Sequence, residues 1–201
     1  MGAIRLAAAI AAVLAMAGTM ARADAIPLNT LSNYINRIDT AESTFTQVNS
    51  DGTVSTGDIY IHRPGRMRFD YDGDELLVMA GGGTVAIFDG RSNTSAEQYP
   101  LSETPLNLIL DRNVDLARSG MVLRHGTDGT ATRVLARDPD QPDIGTIELV
   151  FTPDPVELRQ WVITDSGGAE TTVILGPLEQ GGTIPARSFN IPQELNARRG
   201  E

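Results

Sequence analysis

Cysteine is absent from this chain of 201 residues. Disulfide bonds, thiol nucleophiles and thiolate metal ligands are therefore excluded. The fold must be stabilised by its hydrophobic core without covalent cross-links, which is feasible for a chain of more than about 150 residues.

Histidine is nearly absent as well, with only His62 and His125. A serine hydrolase needs a base beside its nucleophile, and the chain also lacks a Gly-x-Ser-x-Gly turn. Two histidines could form a zinc site only with carboxylates from distant segments. The sequence predicts a protein that is not an enzyme and that needs no cofactor or metal. A glycosidase-like carboxylate pair stays open as an alternative, although no pair of residues stands out.

Basic residues are few, 16 against 26 acidic residues, which gives a net charge of −10. An acidic surface repels phosphate backbones and anionic lipid headgroups. Composition therefore argues against nucleic-acid binding and against docking to membranes through a polybasic surface.

Long apolar runs are missing except for Leu6–Met20, which is shorter than the roughly 20 residues of a spanning helix. Arg5 precedes this run and Ala21-Arg22-Ala23 follows it, the pattern of a signal peptide. We expect residues 1–23 to be cleaved and residues 24–201 to form a single exported domain. The residue after the cleavage site is Asp24, whereas a bacterial lipoprotein needs a cysteine there. The mature protein should therefore carry no lipid anchor of its own.

An amphipathic helix followed by many short strands is predicted for the rest of the chain. Leu28, Leu31, Ile35 and Ile38 recur at helical spacing after Pro27. From Glu42 onward, segments rich in β-branched and aromatic residues alternate with Asp-Gly and Gly-Gly turns. The predicted strands are Thr44–Asn49, Thr53–His62, Arg66–Tyr71, Glu75–Ala80, Thr84–Asp89, Ser95–Tyr99, Met121–His125, Thr130–Ala136, Thr146–Phe151, Glu157–Thr164, Glu170–Leu175 and Arg187–Asn190.

One helical insertion interrupts these strands. Thr104 before Pro105 is typical of a helix start, and a second short helix is predicted over Asn113–Arg118. The inserted helices would turn Leu106, Ile109 and Leu110 inward. The sequence thus predicts a mainly β fold with an α lid: a curved antiparallel sheet whose concave side is covered by helices.

The turn after Ile61, with Arg63-Pro64-Gly65, is the most distinctive segment. Met67, Phe69 and Tyr71 alternate along the following strand and share one face. Arg63 stands at the rim of that face. Two interpretations remain open: the face lines a cavity that Arg63 helps to close, or it is ordinary core beside a surface charge.

The chain resembles the periplasmic outer-membrane lipoprotein carrier protein family, LolA. The resemblance rests on blocks that occur in the family order across the predicted mature chain: Phe45-Thr46-Gln47, the segment from Gly57 to Tyr71, Asp89-Gly90, the segment from Thr104 to Leu110, Trp161-Val162-Ile163 before Asp165, and Phe189-Asn190-Ile191-Pro192.

The resemblance implies an unclosed antiparallel half-barrel with a helical lid over a cavity for acyl chains. Arg63 matches the arginine that holds the family's lid closed through bonds to lid backbone. The residues that would line the acyl cavity are Met67 and Phe69 of the sheet, Leu106, Ile109 and Leu110 of the lid, and Leu31 and Ile35 of the first helix.

The resemblance also implies a function. The expected role is that of a monomeric periplasmic chaperone that takes acylated lipoproteins from the inner-membrane lipoprotein-releasing ABC transporter towards the outer membrane, handing them to an outer-membrane lipoprotein receptor if one is present. Asp24 favours the soluble carrier over the lipid-anchored receptor of the same fold. The alternative is a periplasmic lipid- or glycolipid-binding or sensor domain of this fold.

Overall fold

The computed structural model describes residues 24–73, 76–92 and 95–199. The predicted signal peptide lies outside these ranges. The described chain forms twelve strands in one antiparallel sheet. They are β1 (Thr40–Val48), β2 (Val54–His62), β3 (Met67–Tyr71), β4 (Leu76–Gly81), β5 (Thr84–Asp89), β6 (Glu97–Pro100), β7 (Val122–Thr127), β8 (Thr132–Ala136), β9 (Gly145–Thr152), β10 (Glu157–Asp165), β11 (Glu170–Leu175) and β12 (Glu179–Gln180).

The sheet is open. Its strand order is β6-β5-β4-β3-β2-β1-β11-β10-β9-β8-β7, with the short β12 paired to the start of β1. β1 lies at the centre and joins the early strands to the late ones. β6 and β7 form the two edges and do not pair with each other in the described chain. The predicted unclosed, mainly β architecture is confirmed.

Helix α1 (Leu28–Asn36) follows directly after Pro27. Its apolar stripe buries Leu31 and Ile35 together with Tyr34 against the inner face of the sheet, in the same cluster as Met67. Ile38 is buried as well, although it lies beyond the end of the helix.

The lid consists of a 3₁₀ turn (Leu101–Glu103), α2 (Asn107–Leu110) and an irregular segment that reaches Gly120. The prediction of a second helix over Asn113–Arg118 was wrong. The carbonyl of Val114, which would accept the bond from Arg118 in a helix, instead accepts a bond from the side chain of Asn36. Thr104 does not cap α2 either, since its hydroxyl donates back to the carbonyl of Leu101.

The C-terminal part differs most from the prediction. The predicted strand Arg187–Asn190 is a 3₁₀ turn, Ala186–Phe189, followed by helix α3 (Ile191–Arg199). The backbone of this turn approaches β4 so closely that a Cβ at Gly81 would lie 2.2 Å from the carbonyl oxygen of Phe189. Helix α3 then covers the outer face of the sheet. The residues of this outer core are Leu77, Met79, Ala86, Phe88 and Ile191, with Ala96 and Leu195 beside them.

Candidate functional site: the covered concave face

The concave face of the sheet meets α1 and the lid in one apolar cluster. All seven predicted lining residues are members of this cluster and none is more than 8% exposed. The structure therefore brings together the three elements that the resemblance placed around a cavity, with their side chains packed against one another. They are Leu31, Ile35, Met67, Phe69, Leu106, Ile109 and Leu110.

Four aromatic side chains of the sheet form one connected group within this cluster. The ring of Phe45 meets Phe69 at 5.2 Å and Tyr71 at 5.0 Å, both edge to face. Phe69 also contacts the ring of Trp161, 6.4 Å away. Gly57 lies opposite both Phe45 and Tyr71 in the strand register, and a Cβ there would lie 2.0 Å from a β3 carbonyl oxygen. The glycine thus permits the close approach of β2 and β3 beneath these rings.

Phe45 and Trp161 were not predicted as members of the site. The signal for Phe45 was its place on a strand between polar neighbours, and the signal for Trp161 was that it is the only tryptophan. Trp161 is 1% exposed and belongs to the same apolar cluster as the residues of the lid.

Arg63 lies between β2 and β3 and is only 8% exposed. Its Nη1 donates to the carbonyl of Ile35 near the end of α1. Its Nη2 donates to the carbonyl of Asp111 just after α2, at 2.5 Å, and to Oδ1 of Asn36 at 3.2 Å. One guanidinium therefore joins the sheet rim to α1 and to the lid, as the planar five-donor fork of arginine allows.

The electrostatic setting of Arg63 is unusual because the acceptors of its bonds are neutral. Burial lowers the pKa of the guanidinium, and the nearby charges of Asp111 and Asp39 act in the opposite direction. Arginine nevertheless stays protonated in proteins. Its Nε is buried and has no hydrogen-bond partner among the described residues.

The turn itself adds a backbone contact to the lid. The amide of Gly65 donates to the carbonyl of Leu110 at 2.8 Å. Gly65 has φ +72°, a conformation that favours glycine. The turn therefore contacts the end of α2 through its backbone as well as through Arg63.

Two polar residues of α1 complete the contacts to the lid. Asn36 exchanges two hydrogen bonds with the backbone of Val114, and Ser32 accepts a bond from the amide of Leu116. Sequence reasoning missed both residues. The available signal was their spacing of four, which places them on one side of α1.

One cleft opens on the outer side of the sheet, away from the apolar cluster. It has a volume of about 560 Å³ and is lined by Arg68, Asp70, Arg187 and Glu194, among others. It is polar and involves none of the predicted lining residues.

Within the described ranges, no group of three His, Asp or Glu side chains could hold a metal ion. Of the helices in those ranges, none has the length and apolar content needed to cross a membrane.

The sequence comparison agrees with this architecture. Residues 36–192 match the family model of the outer membrane lipoprotein carrier protein LolA. No curated protein matches the chain significantly in sequence.

The solved structures that match the chain share little sequence with it. A LolA superfamily protein from Nitrosomonas europaea is 9% identical, with 84% of this chain and 100% of that chain covered and a TM-score of 0.42. A putative outer membrane lipoprotein-sorting protein domain from Vibrio parahaemolyticus is 7% identical, with 84% and 96% covered and a TM-score of 0.47. An uncharacterised conserved protein from Thermus thermophilus is 10% identical, with 84% and 94% covered and a TM-score of 0.47.

The family match runs from the last residue of α1 through the sheet and the lid to the first turn of α3. The chain therefore belongs to the outer membrane lipoprotein carrier protein family, LolA.

Proposed function

We propose that this protein is a periplasmic carrier that binds the acyl chains of lipoproteins on its concave face and moves them from the inner to the outer membrane. The family is a binding and carrier fold, and its members are periplasmic. The observation that carries the proposal is the covered concave face, where α1 and the lid bury the sheet and Arg63 fastens both of them.

Physical chemistry explains why such a carrier is needed. Each methylene removed from water contributes about 0.8 kcal/mol, so a chain with about ten buried methylenes gains about 8 kcal/mol. Free passage through water is therefore strongly unfavourable for a lipoprotein. A carrier must offer a comparable area of apolar surface and must also give it up at the destination.

The closed structure meets both requirements if acyl chains can replace the lid on the apolar face of the sheet. In the closed state Leu106, Ile109 and Leu110 occupy the sheet face and are themselves buried. When the lid and α1 move away, acyl chains would take over this apolar surface. Each lid side chain contributes about 1.5–3 kcal/mol by its burial. Loading therefore replaces one set of apolar contacts by another, and the net free energy of exchange stays small enough for release.

Arg63 affects the free-energy difference between the closed, empty state and the loaded state. A hydrogen bond from a charged donor contributes about 1.5–3 kcal/mol, and the solvation of an exposed guanidinium offsets part of the loss on opening. The bonds to Ile35 and Asp111 thus favour the closed, empty state by a modest amount. Reclosure of the lid would help to expel the cargo.

The remaining parts of the proposal rest on the sequence. Residues 1–23 would direct export, and Asp24 in place of a cysteine would leave the mature protein free of a lipid. The proposed partners are acylated lipoprotein cargo, the inner-membrane lipoprotein-releasing transporter and an outer-membrane lipoprotein receptor if one is present. The protein would act as a monomer without nucleotide or metal.

The single tryptophan provides the test. Mature protein is mixed with a diacylated lipoprotein whose acyl chains carry bromine, a contact quencher of tryptophan fluorescence. We expect a soluble one-to-one complex in which the emission of Trp161 is quenched. The same lipoprotein without acyl chains should neither bind nor quench. Absence of a complex with the acylated form would refute the proposal, and a bound glycolipid identified by mass spectrometry would favour the lipid-binding alternative.

A further inference from the structure

Asn36, the last residue of α1, is both a hydrogen-bond donor and a hydrogen-bond acceptor to the backbone of the lid. Its Nδ2 donates to the carbonyl of Val114 at 2.8 Å, and its Oδ1 accepts from the amide of the same residue at 2.9 Å. A single side-chain amide thus satisfies both backbone groups of one residue, as a neighbouring strand would. Because the contact is to backbone groups alone, it holds the segment irrespective of the Val114 side chain.

Ser32 repeats this contact one turn earlier on α1. Its hydroxyl accepts from the amide of Leu116 at 3.0 Å and donates to the carbonyl of Leu28 at 2.9 Å. Ser32 is buried, and so are Val114 and Leu116 between which the lid backbone runs. The segment after α2 is therefore fastened to α1 at two alternate residues, Val114 and Leu116.

Arg63 acts on the same assembly from the sheet. Its Nη2 donates to Oδ1 of Asn36, the oxygen that also accepts from Val114, and to the carbonyl of Asp111. The arginine contacts α1 and the lid at once and belongs to neither. Its bonds join the sheet to the cover, as do the bond from the amide of Gly65 to Leu110 and the bond from the amide of Leu158 to the Tyr34 hydroxyl. The bonds from Asn36 and Ser32 to Val114 and Leu116, by contrast, lie within the cover.

The geometry points to Asn36 as the positioning residue that makes α1 and the lid segment around Val114 and Leu116 one moving unit. This inference rests on the proposed lid-gated binding of acyl chains. On loading, the contacts from the sheet to this unit break, and the contacts between α1 and the segment persist. Asn36 and Ser32 would then keep the backbone groups of Val114 and Leu116 hydrogen-bonded while the lid moves. Leaving these polar groups unpaired in an apolar site would be costly.

Hydrogen exchange at three backbone amides can distinguish joint movement of α1 and the lid segment from movement of the lid alone. The amide of Gly65 bonds to Leu110 across the boundary between sheet and lid. The amides of Val114 and Leu116 bond to α1. Hydrogen exchange of these amides is measured by NMR in the free protein and in the complex with a diacylated lipoprotein. We expect Gly65 to lose protection on loading while Val114 and Leu116 keep theirs.

Variants test the role of Asn36 directly. In Asn36→Ala the amide of Val114 should exchange about tenfold faster in the free protein, because it loses its acceptor. Asn36→Asp keeps the acceptor and loses only the donor, so it should preserve much of the Val114 protection. Asn33→Ala changes the same residue type on the exposed side of the same helix and should leave exchange unchanged.

The outcomes are distinct. Loss of protection at Val114 and Leu116 together with Gly65 on loading would overturn the inference, because the lid would then leave α1 behind. Unchanged exchange at Val114 in Asn36→Ala would overturn it as well. Failure of the wild-type protein to form a complex would instead contradict the proposed function, and the exchange measured in the free variants would still decide whether Asn36 holds Val114.

Discussion

Arg63 is the residue whose replacement should most directly alter transfer. In Arg63→Leu the carbonyls of Ile35 and Asp111 lose their donor in the closed state, while the loaded state loses little. The closed state is then less favoured, so cargo should be held more tightly and delivered about ten- to a hundredfold more slowly, as expected from one or two charged hydrogen bonds. Transfer of a labelled lipoprotein from the carrier to outer-membrane vesicles measures the rate.

Two further variants test whether the slower delivery comes from the loss of the Arg63 guanidinium. Arg63→Lys should also be impaired, because one ammonium group cannot donate to α1 and to the lid in the same plane. Arg37→Leu is the matched control, since Arg37 is exposed at the end of α1. Normal delivery by Arg63→Leu would remove the arginine from the mechanism.

Because of Tyr71, the stability of the fold should depend on pH in the alkaline range. Burial raises the pKa of its phenol to about 12, and the hydrogen bond to Gln47 opposes the rise. In the unfolded chain the pKa is about 10. The folded state therefore holds the proton more tightly, and the stability linked to Tyr71 is complete below pH 10 and decreases as the pH rises to about 12.

The corresponding measurement compares the free energy of unfolding in denaturant at pH 9, 10 and 11. The wild-type protein should lose stability more steeply over this interval than Tyr71→Phe, which has no phenol to ionise there. Tyr71→Phe should start lower at pH 9 by about 1 kcal/mol, since Gln47 loses its bond. Parallel curves for the two proteins would show that Tyr71 ionises as readily in the folded state as in the unfolded chain.

Among the elements, α3 has a role separate from that of the lid. It covers Leu77, Met79 and Phe88 on the outer face, and Ile191 is its buried anchor. Ile191→Asp should detach the helix and lower stability by about 2–4 kcal/mol, through lost burial and a buried charge. Binding of a hydrophobic dye to the outer face should increase, whereas the emission of Trp161 should stay unchanged because it lies in the inner cluster.

Asn196→Asp supplies the control for this experiment, since it adds the same charge to an exposed position of α3. It should change neither dye binding nor stability appreciably. A shift in Trp161 emission in Ile191→Asp would contradict the separation of the two cores.

The elements also show which features a sequence can predict. Alternation of Met67, Phe69 and Tyr71 identified the buried face of β3, because a strand repeats every two residues. Eleven predicted strands correspond to β1–β11. The segment from Arg187 to Asn190 was too short to show a period, so a 3₁₀ turn and a strand could not be distinguished. The contact of Asn36 with Val114 joins residues 78 positions apart, which no local pattern encodes.

At the scale of the whole molecule, charge and composition bear on export and on membrane contact. All 16 basic residues are arginines, and the chain contains no lysine. Loss of Arg5 and Arg22 with the signal peptide would change the net charge from −10 to about −12. The mature protein should therefore not bind anionic membranes by charge, and the proposed contact with acyl chains should depend on the concave face.

The absence of lysine makes the predicted processing directly measurable. If residues 1–23 are removed on export, the α-amino group of Asp24 is the one primary amine of the mature chain. We expect an amine-reactive reagent to label protein recovered from the periplasm once, on a peptide that begins at Asp24. The same protein retained in the cytoplasm by deletion of Leu6–Met20 provides the control, and its label should lie at its own first residue. A periplasmic protein labelled at a residue before Asp24 would contradict the predicted cleavage site, and an acylated, unlabelled N-terminus would contradict a carrier that moves freely between the two membranes.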